Sequence, residues 1–163
     1  MKLIHTLNMT KRYFDTMKIG DLNEVIKLEQ RNYPIPWSKG VMKDCIKAGY
    51  QSIVMKQGEE IIAYAFLMTS YDESHLLNMC VDKAYQGQGL GRKLLKYLEN
   101  VCKYNQSKIF LLEVRESNPI AHKLYKSFGF KQIGIRKNYY KCLKGRENAI
   151  VMTKELGCGK TNC

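Results

Sequence analysis

Several absences narrow the possibilities before any motif is considered. The chain has no apolar run near membrane-spanning length, so a soluble globular protein is expected. The opening Met1-Lys-Leu-Ile-His-Thr-Leu-Asn holds too short an apolar segment for a secretion signal, and a cytoplasmic location is expected. Only three histidines occur, none at zinc-ligand spacing. The six cysteines (Cys45, Cys80, Cys102, Cys142, Cys158, Cys163) form no C-x-x-C pair, so free thiols are expected and no metal site. There is no internal repeat, arginine-rich arm or zinc finger, which argues against a dedicated nucleic-acid module. No direct nucleic-acid binding is expected. Acidic residues are few, 15 against 27 lysines and arginines, and the formal net charge of +12 fits either an anionic partner (a phosphorylated cofactor, RNA or a ribonucleoprotein surface) or simply a lysine-rich surface. At 163 residues the chain is long enough for one domain with a real core. That domain is expected over residues 1–156, with 157–163 a disordered tail. The tail's Gly-Lys-Thr lacks the leading glycine of a P-loop, because position 154 is Lys154.

What is present centres on His75 to Gly91. Leu76 to Val81 reads as a buried strand, Gln86 to Gly91 as a glycine turn, and Leu90, Leu94, Leu98 and Val101 recur at helical spacing. Gly87, Gly89 and Gly91 leave the backbone uncrowded where the unpaired N–H groups of a helix start point outward, a suitable cradle for a pyrophosphate. A tight turn alone is the other explanation for those glycines. Arg92 and Lys93 favour the cradle, since cations oppose the dipole of a helix start unless an anion lies between them. A dinucleotide fingerprint would need glycine at position 92, which is Arg92.

Elsewhere the pattern predicts a first strand over Arg12–Lys18 and a helix capped by Asp21 that runs to about Arg31. Ser38 should cap a second helix carrying Val41, Met42 and Cys45, with Trp37 as a hydrophobic plug. Ser52–Lys56, Ile61–Thr69 and Leu76–Val81 predict an antiparallel meander. Ile109–Val114 should then run parallel to the Leu76 strand, as a strand, helix, strand crossover requires. Asn118 and Pro119 open another helix with Ile120, Leu124 and Phe128 on its buried face, ended by Gly129. Phe130–Tyr139 is a strand candidate, Lys141–Arg146 a polar loop and Ala149–Thr153 a closing strand. Cys80 and Cys102 fall at apolar positions, where cysteine acts as a small hydrophobe.

Gln86-Gly-Gln-Gly-Leu-Gly resembles the Gln/Arg-x-x-Gly-x-Gly/Ala pattern of the GNAT superfamily of acyl-CoA-dependent N-acyltransferases. Five segments narrow the resemblance to its ribosomal-protein-alanine N-acetyltransferase (RimI) branch: Leu76-Leu-Asn-Met-Cys-Val-Asp, Leu112-Glu-Val-Arg-Glu-Ser-Asn, Leu124-Tyr-Lys-Ser-Phe-Gly-Phe, Ile135-Arg-Lys-Asn-Tyr-Tyr and Gly145-Arg-Glu-Asn-Ala-Ile. The resemblance implies the GNAT α/β (α+β) fold. In that fold a mixed sheet of about seven strands splays between two parallel strands and is flanked by about four helices. It implies acetyl-CoA as co-substrate, with Met79, Cys80 and Val81 along the pantetheine and Gly87, Gln88, Gly89, Leu90, Gly91 and Arg92 around the pyrophosphate. Asn118 would also contact it. Glu113 would be the general base and Tyr125 the general acid. Without the resemblance, Asn118 as a helix cap, Glu113 as a solvated strand end and Tyr125 as a core-edge aromatic are the favoured readings.

The chemistry suits these residue types. An α-amine, with a pKa of about 8, must lose a proton before it attacks a thioester, and a tyrosine hydroxyl near pKa 10 can return one to the departing thiolate. The implied acceptor is the N-terminal alanine of a small-subunit ribosomal protein. Its basic N-terminus would need local acidity, for which Glu113, Glu116, Asp72, Glu73 and Glu147 are candidates. The chain departs from the branch where Lys141 follows Tyr140 in place of proline, on the substrate-side loop. A GNAT enzyme for another amine and a non-catalytic RNA- or ribosome-binding module are the rival readings.

Overall fold

Apolar runs broken by glycine turns set the elements, which a computed structural model describes over residues 11–157. The strands are β1 (Arg12–Thr16), β2 (Gln51–Gln57), β3 (Glu60–Ser70), β4 (Glu73–Val81), β5 (Ile109–Arg115), β6 (Lys131–Cys142) and β7 (Gly145–Glu155), in the sheet order β1-β2-β3-β4-β5-β7-β6. Four α-helices occur among the described residues: α1 (Leu22–Asn32), α2 (Lys39–Lys47), α3 (Leu90–Tyr104) and α4 (Pro119–Ser127). This is the mixed α/β class expected. The described chain divides into two compact units, one of residues 11–66 and Asn78–Leu90, the other of Leu67–Leu77 and 91–157. The remainder of the expected tail, with Cys158 and Cys163, lies outside the described residues.

In the first unit β1 and β2 pair antiparallel from Arg12↔Gln57 to Thr16↔Ile53. Ile62 to Phe66 of β3 are fully buried without alternation, the pattern of a strand covered on both faces. Leu22, Val25 and Leu28 of α1 and Met42 and Cys45 of α2 are buried, whereas Val41 is 45% exposed. Trp37 packs its ring 5.7 Å from that of Phe66, as a plug should. Ser38 Oγ accepts the Val41 N–H at 3.2 Å and caps α2. Asp21 does not cap α1 through its side chain. Its carboxylate accepts the Lys18 N–H at 2.8 Å, because a short helical turn, Ile19–Asp21, leads directly into the helix.

In the second unit β4 pairs parallel with β5 from Glu73↔Ile109 to Leu76↔Leu112, so the crossover has the sense expected. β5 continues antiparallel against β7 from Ile109↔Glu155 to Arg115↔Ala149. The segment 141–146, expected as a polar loop, is mostly strand. β6 and β7 pair as far as Cys142↔Gly145, and their backbone ladder satisfies polar groups that the composition suggested water would satisfy. Phe110 and Phe130 anchor the core at a ring separation of 5.1 Å, beside fully buried Leu94, Leu95, Leu98 and Cys102 of α3. On α4 the buried residues are Tyr125 and the capping Phe128, while Ile120 is 80% exposed. Asn118 and Pro119 place Ile120 in the first turn, at the solvent end of the helix. Cys45, Cys80, Cys102 and Cys142 are free thiols.

A buried charge in this unit went unseen in the sequence. Glu99 of α3 is 6% exposed and is met by Lys154 of β7 at 3.0 Å, Lys96 at 3.1 Å and Lys103 at 3.3 Å. Burial raises its pKa, but hydrogen bonds from Lys154, Lys96 and Lys103 outweigh this and hold it at about 2, against an ordinary value of 4.5. Since the folded value is depressed, the cluster's stabilisation is complete above about pH 4.5 and is lost as pH falls towards 2. Glu99→Gln should therefore cost about 1–3 kcal/mol at neutral pH. An acid titration followed by circular dichroism should show the gap between variant and wild type closing below pH 4.5. A gap that persists at low pH would exclude the charge as its cause.

Candidate active site

In the first unit the glycine turn is tied to its surroundings at each end. After β4, Asp82 Oδ1 accepts the Ala84 N–H at 3.4 Å and opens a short helical turn, Lys83–Tyr85, while Asp82 Oδ2 takes a hydrogen bond from Arg31 at 2.6 Å. Gln86 Nε2 donates back to the Val81 carbonyl at 2.9 Å. The first residue of the Gln/Arg-x-x-Gly pattern thus fastens the turn to the strand. Gln88 Oε1 accepts from Arg12 Nη2 at 2.6 Å, so the N-terminal strand reaches the turn as well. Gly87 and Gly89 adopt φ of +76° and +75°, and a Cβ at either position would meet nothing within 4 Å. The backbone is therefore open, and its conformation rather than lack of space requires glycine there. Leu90, buried at 1%, begins α3 by anchoring its side chain in the core, and Gly91 lies within the helix. An open, left-handed backbone running into a helix start fits a pyrophosphate.

The end of β4 is held by a buried carboxylate. Glu29 of α1, 2% exposed, accepts the Trp37 N–H at 2.8 Å, a bond from the Tyr64 hydroxyl, and Asn78 Nδ2 at 3.3 Å. Tyr33 donates to the Met79 carbonyl at 2.7 Å. Cys80 is 4% exposed, and burial foremost, with Glu29 adding, pushes its thiol far up. It is a packing residue and not a nucleophile. Helical spacing already puts Glu29 on the apolar face with Leu22, Val25 and Ile26, but its partners Tyr64 and Asn78 lie too far along the chain to be read from the sequence.

In the second unit Glu113 projects from β5 on the face it shares with Leu111 and Arg115, opposite buried Phe110, Leu112 and Val114. Its side chain is 6% exposed and forms an ion pair with Arg136 Nε at 3.1 Å, with His75 Nε2 at 4.0 Å. The Tyr139 hydroxyl also hydrogen-bonds it, and that bond raises the Tyr139 pKa. Burial, then Glu113, raises that of Tyr140. Burial lowers that of His75 more than Glu113 raises it, which disfavours the imidazolium. Arg136, Tyr139 and His75 were not assigned roles from the sequence, although Ile135-Arg-Lys-Asn-Tyr-Tyr and His75 stood inside segments already singled out. What brings Tyr139 round is an irregularity in β6: the register passes from Arg136↔Ala149 to Tyr140↔Glu147 across Asn138, whose φ is +54°.

Asn118 caps α4, its Oδ1 accepting the Ala121 N–H at 3.1 Å. Tyr125 is 8% exposed, its ring edge-on to Phe130 at 5.9 Å. Arg92 lies over Phe128 at 5.4 Å and reaches Ser127 Oγ at 3.3 Å. Most of the acidity proposed for a basic acceptor is already engaged. Asp72 pairs with Lys108 at 2.9 Å, Glu147 with Arg115 at 2.8 Å and Glu113 with Arg136. Glu73 and Glu116 are exposed. Among the described residues no group of three or more histidine, cysteine or acidic side chains is arranged to hold a metal, and no helix is long and apolar enough to cross a membrane.

Comparison with known proteins gives one consistent answer. The Acetyltransferase (GNAT) family model matches residues 22–130. The [Ribosomal protein bS18]-alanine N-acetyltransferase of Haemophilus ducreyi is 43% identical over 143 residues, covering 87% of this chain and 99% of that protein. The protein of the same name from Escherichia coli is 37% identical over 137 residues, 84% of this chain and 93% of its own length. The crystal structure of the ribosomal-protein-S18-alanine N-acetyltransferase from Escherichia coli superposes with a TM-score of 0.85 at 34% identity, over 94% of this chain and 99% of that one.

Proposed function

The chain belongs to the GNAT acetyltransferase family, and from that membership we propose that it transfers the acetyl group of acetyl-CoA to the N-terminal alanine of a small-subunit ribosomal protein of the bS18 type. The family match runs through both units, which supports reading 1–156 as one acetyltransferase domain, and a ribosomal-protein acceptor favours the cytoplasm as its place of action. The observation that carries the reading is Glu113, a carboxylate buried at the end of β5 yet surrounded by cationic and hydroxyl groups, in a chain that spans nearly the whole of relatives named for this activity.

We assign the roles unit by unit. In the first, the backbones of Met79, Cys80 and Val81 and of Gly87, Gln88, Gly89 and Leu90 bind the co-substrate. The open φ-positive glycines fit its pyrophosphate. In the second, Gly91, Arg92 and Asn118 are assigned to acetyl-CoA, Asn118 while keeping its capping bond. Bound acetyl-CoA supplies an acetyl group activated as a thioester. Glu113 takes a proton from the incoming ammonium, directly or through water, which frees the lone pair for attack. The Tyr125 hydroxyl gives its proton to the leaving sulfur.

The test is incubation with acetyl-CoA and three acceptors, read by mass spectrometry. These are an alanine-initiated peptide of the ribosomal protein, an N-terminally blocked lysine peptide, and a polyamine. Preferential acetylation of the alanine amine is expected. Preference for lysine or polyamine would overturn the acceptor assignment. No transfer together with no thermal shift by CoA would favour a non-catalytic module instead.

A further inference from the structure

The Glu113 carboxylate already has a cation beside it, and how that cation is held distinguishes a fixed structural partner from an exchangeable one. Glu113 is 6% exposed, so leaving it charged without a counter-ion would be costly. His75 stands further off, at 4.0 Å, and burial lowers its pKa, which disfavours the imidazolium. Arg136 supplies the counter-ion, at 3.1 Å, but its own side chain is 54% exposed. The neighbouring Arg115 shows what a fixed arginine looks like in the same unit. It is 26% exposed, bonds Glu147 at 2.8 Å and the Lys141 carbonyl at 2.9 Å, and lies 4.3 Å from the Tyr140 ring centre. Arg136 by contrast stands on β6, the outermost strand of the sheet order, at the last register pair before the irregularity at Asn138. In that same position its guanidinium lies 5.5 Å from the centre of the Tyr139 ring, so a small movement away from Glu113 would leave it over an aromatic face.

We propose that Arg136 is a placeholder cation: it neutralises Glu113 in the resting enzyme and gives way to the terminal ammonium of the acceptor. This rests on Glu113 being the group that receives the amine's proton. Exchange of one cation for another keeps the buried carboxylate compensated throughout, and the displaced guanidinium, half in water already, returns to solvent or to Tyr139. An acceptor with a neutral or blocked N-terminus cannot make the exchange. Selection for a charged α-amine is then written into the Glu113–Arg136 pair, in addition to whatever reads the following residues.

The experiment uses the full chain saturated with CoA and two peptides that differ only at the end, one beginning with alanine and the other with a propionyl group in its place. Calorimetry on Arg136→Gln should find the alanyl peptide bound on the order of tenfold more tightly than by wild type, with the propionyl peptide within about twofold. The KM for the alanyl peptide should fall in parallel, with kcat changed less, and Arg136→Lys should return both peptides towards wild-type values. Weaker binding of the alanyl peptide, or an equal shift for both, would overturn the proposal and make Arg136 a structural support of β6. Should Arg136→Gln fail to fold, the wild-type Arg136 Nε–H resonance gives the answer. It should move on adding the alanyl but not the propionyl peptide, and an identical response to both would overturn the exchange. Failure of the base assignment would appear separately, as normal turnover by Glu113→Gln, because the two-peptide comparison is read from binding.

Discussion

Glu113→Gln is expected to lower acetyl transfer to an alanine-initiated peptide by about 10²–10⁴ while acetyl-CoA binds as before. The substitution preserves shape, and the amide oxygen can still sit beside Arg136 and accept from Tyr139, so the fold around β5 should hold. What it removes is the ability to take a proton from an amine of pKa about 8. Raising the pH should restore part of the rate, since solvent then supplies free amine. Tyr125→Phe provides the contrast. Its ring packs edge-on to Phe130 and should stay in place, so the loss is confined to the hydroxyl and to departure of the sulfur. Higher pH should not rescue it in the same way. If both variants turned over normally, catalysis would have to rest on positioning and carbonyl polarisation.

The parts of this enzyme that could be read from the sequence are those determined by neighbours in the chain. Ser38 and Asn118 cap helices because the N–H groups they serve are three residues away. Gly129 ends α4 at φ +103°, and the run from Leu76 through the glycine turn to Leu98 specifies strand, turn and helix in one stretch. Partners distant in sequence were not legible. Glu99 looks like one more charge on a solvated helix until Lys154, 55 positions later, closes over it. Glu29 likewise depends on Tyr64 and Asn78. The β6 strand was misjudged for a related reason: a left-handed Asn138, held by its N–H to Asn148 Oδ1 at 3.0 Å, lets a polar sequence bend and resume pairing. That same bend delivers Tyr139 to Glu113, which Arg136, still in register before the bend, already faces. Family resemblance marked Glu113, but only the fold revealed the cation it rests against.

Gly89→Val should reveal what the glycine turn contributes. With φ at +75°, any side chain here meets the clash of Cβ with the following carbonyl that makes the left-handed region unfavourable, about 1–2 kcal/mol for an ordinary residue and more for a β-branched one. No neighbouring atom lies within 4 Å of the added Cβ, so packing adds nothing and the turn is free to relax into a different backbone path. A relaxed turn no longer directs its N–H groups outward at the start of α3. The expected result is acetyl-CoA binding weakened by about 5–30-fold, the equivalent of that strain, with a smaller effect on kcat at saturating acetyl-CoA. Gly91→Ala separates conformation from access. Gly91 lies inside α3, where alanine is the better helix former by about 1 kcal/mol, so the fold should be unharmed or strengthened. If Gly91→Ala nevertheless weakens binding in calorimetry, glycine at that position serves close approach of the phosphate. If Gly89→Val binds acetyl-CoA as wild type does, the turn is a turn only, and the pyrophosphate must be held elsewhere.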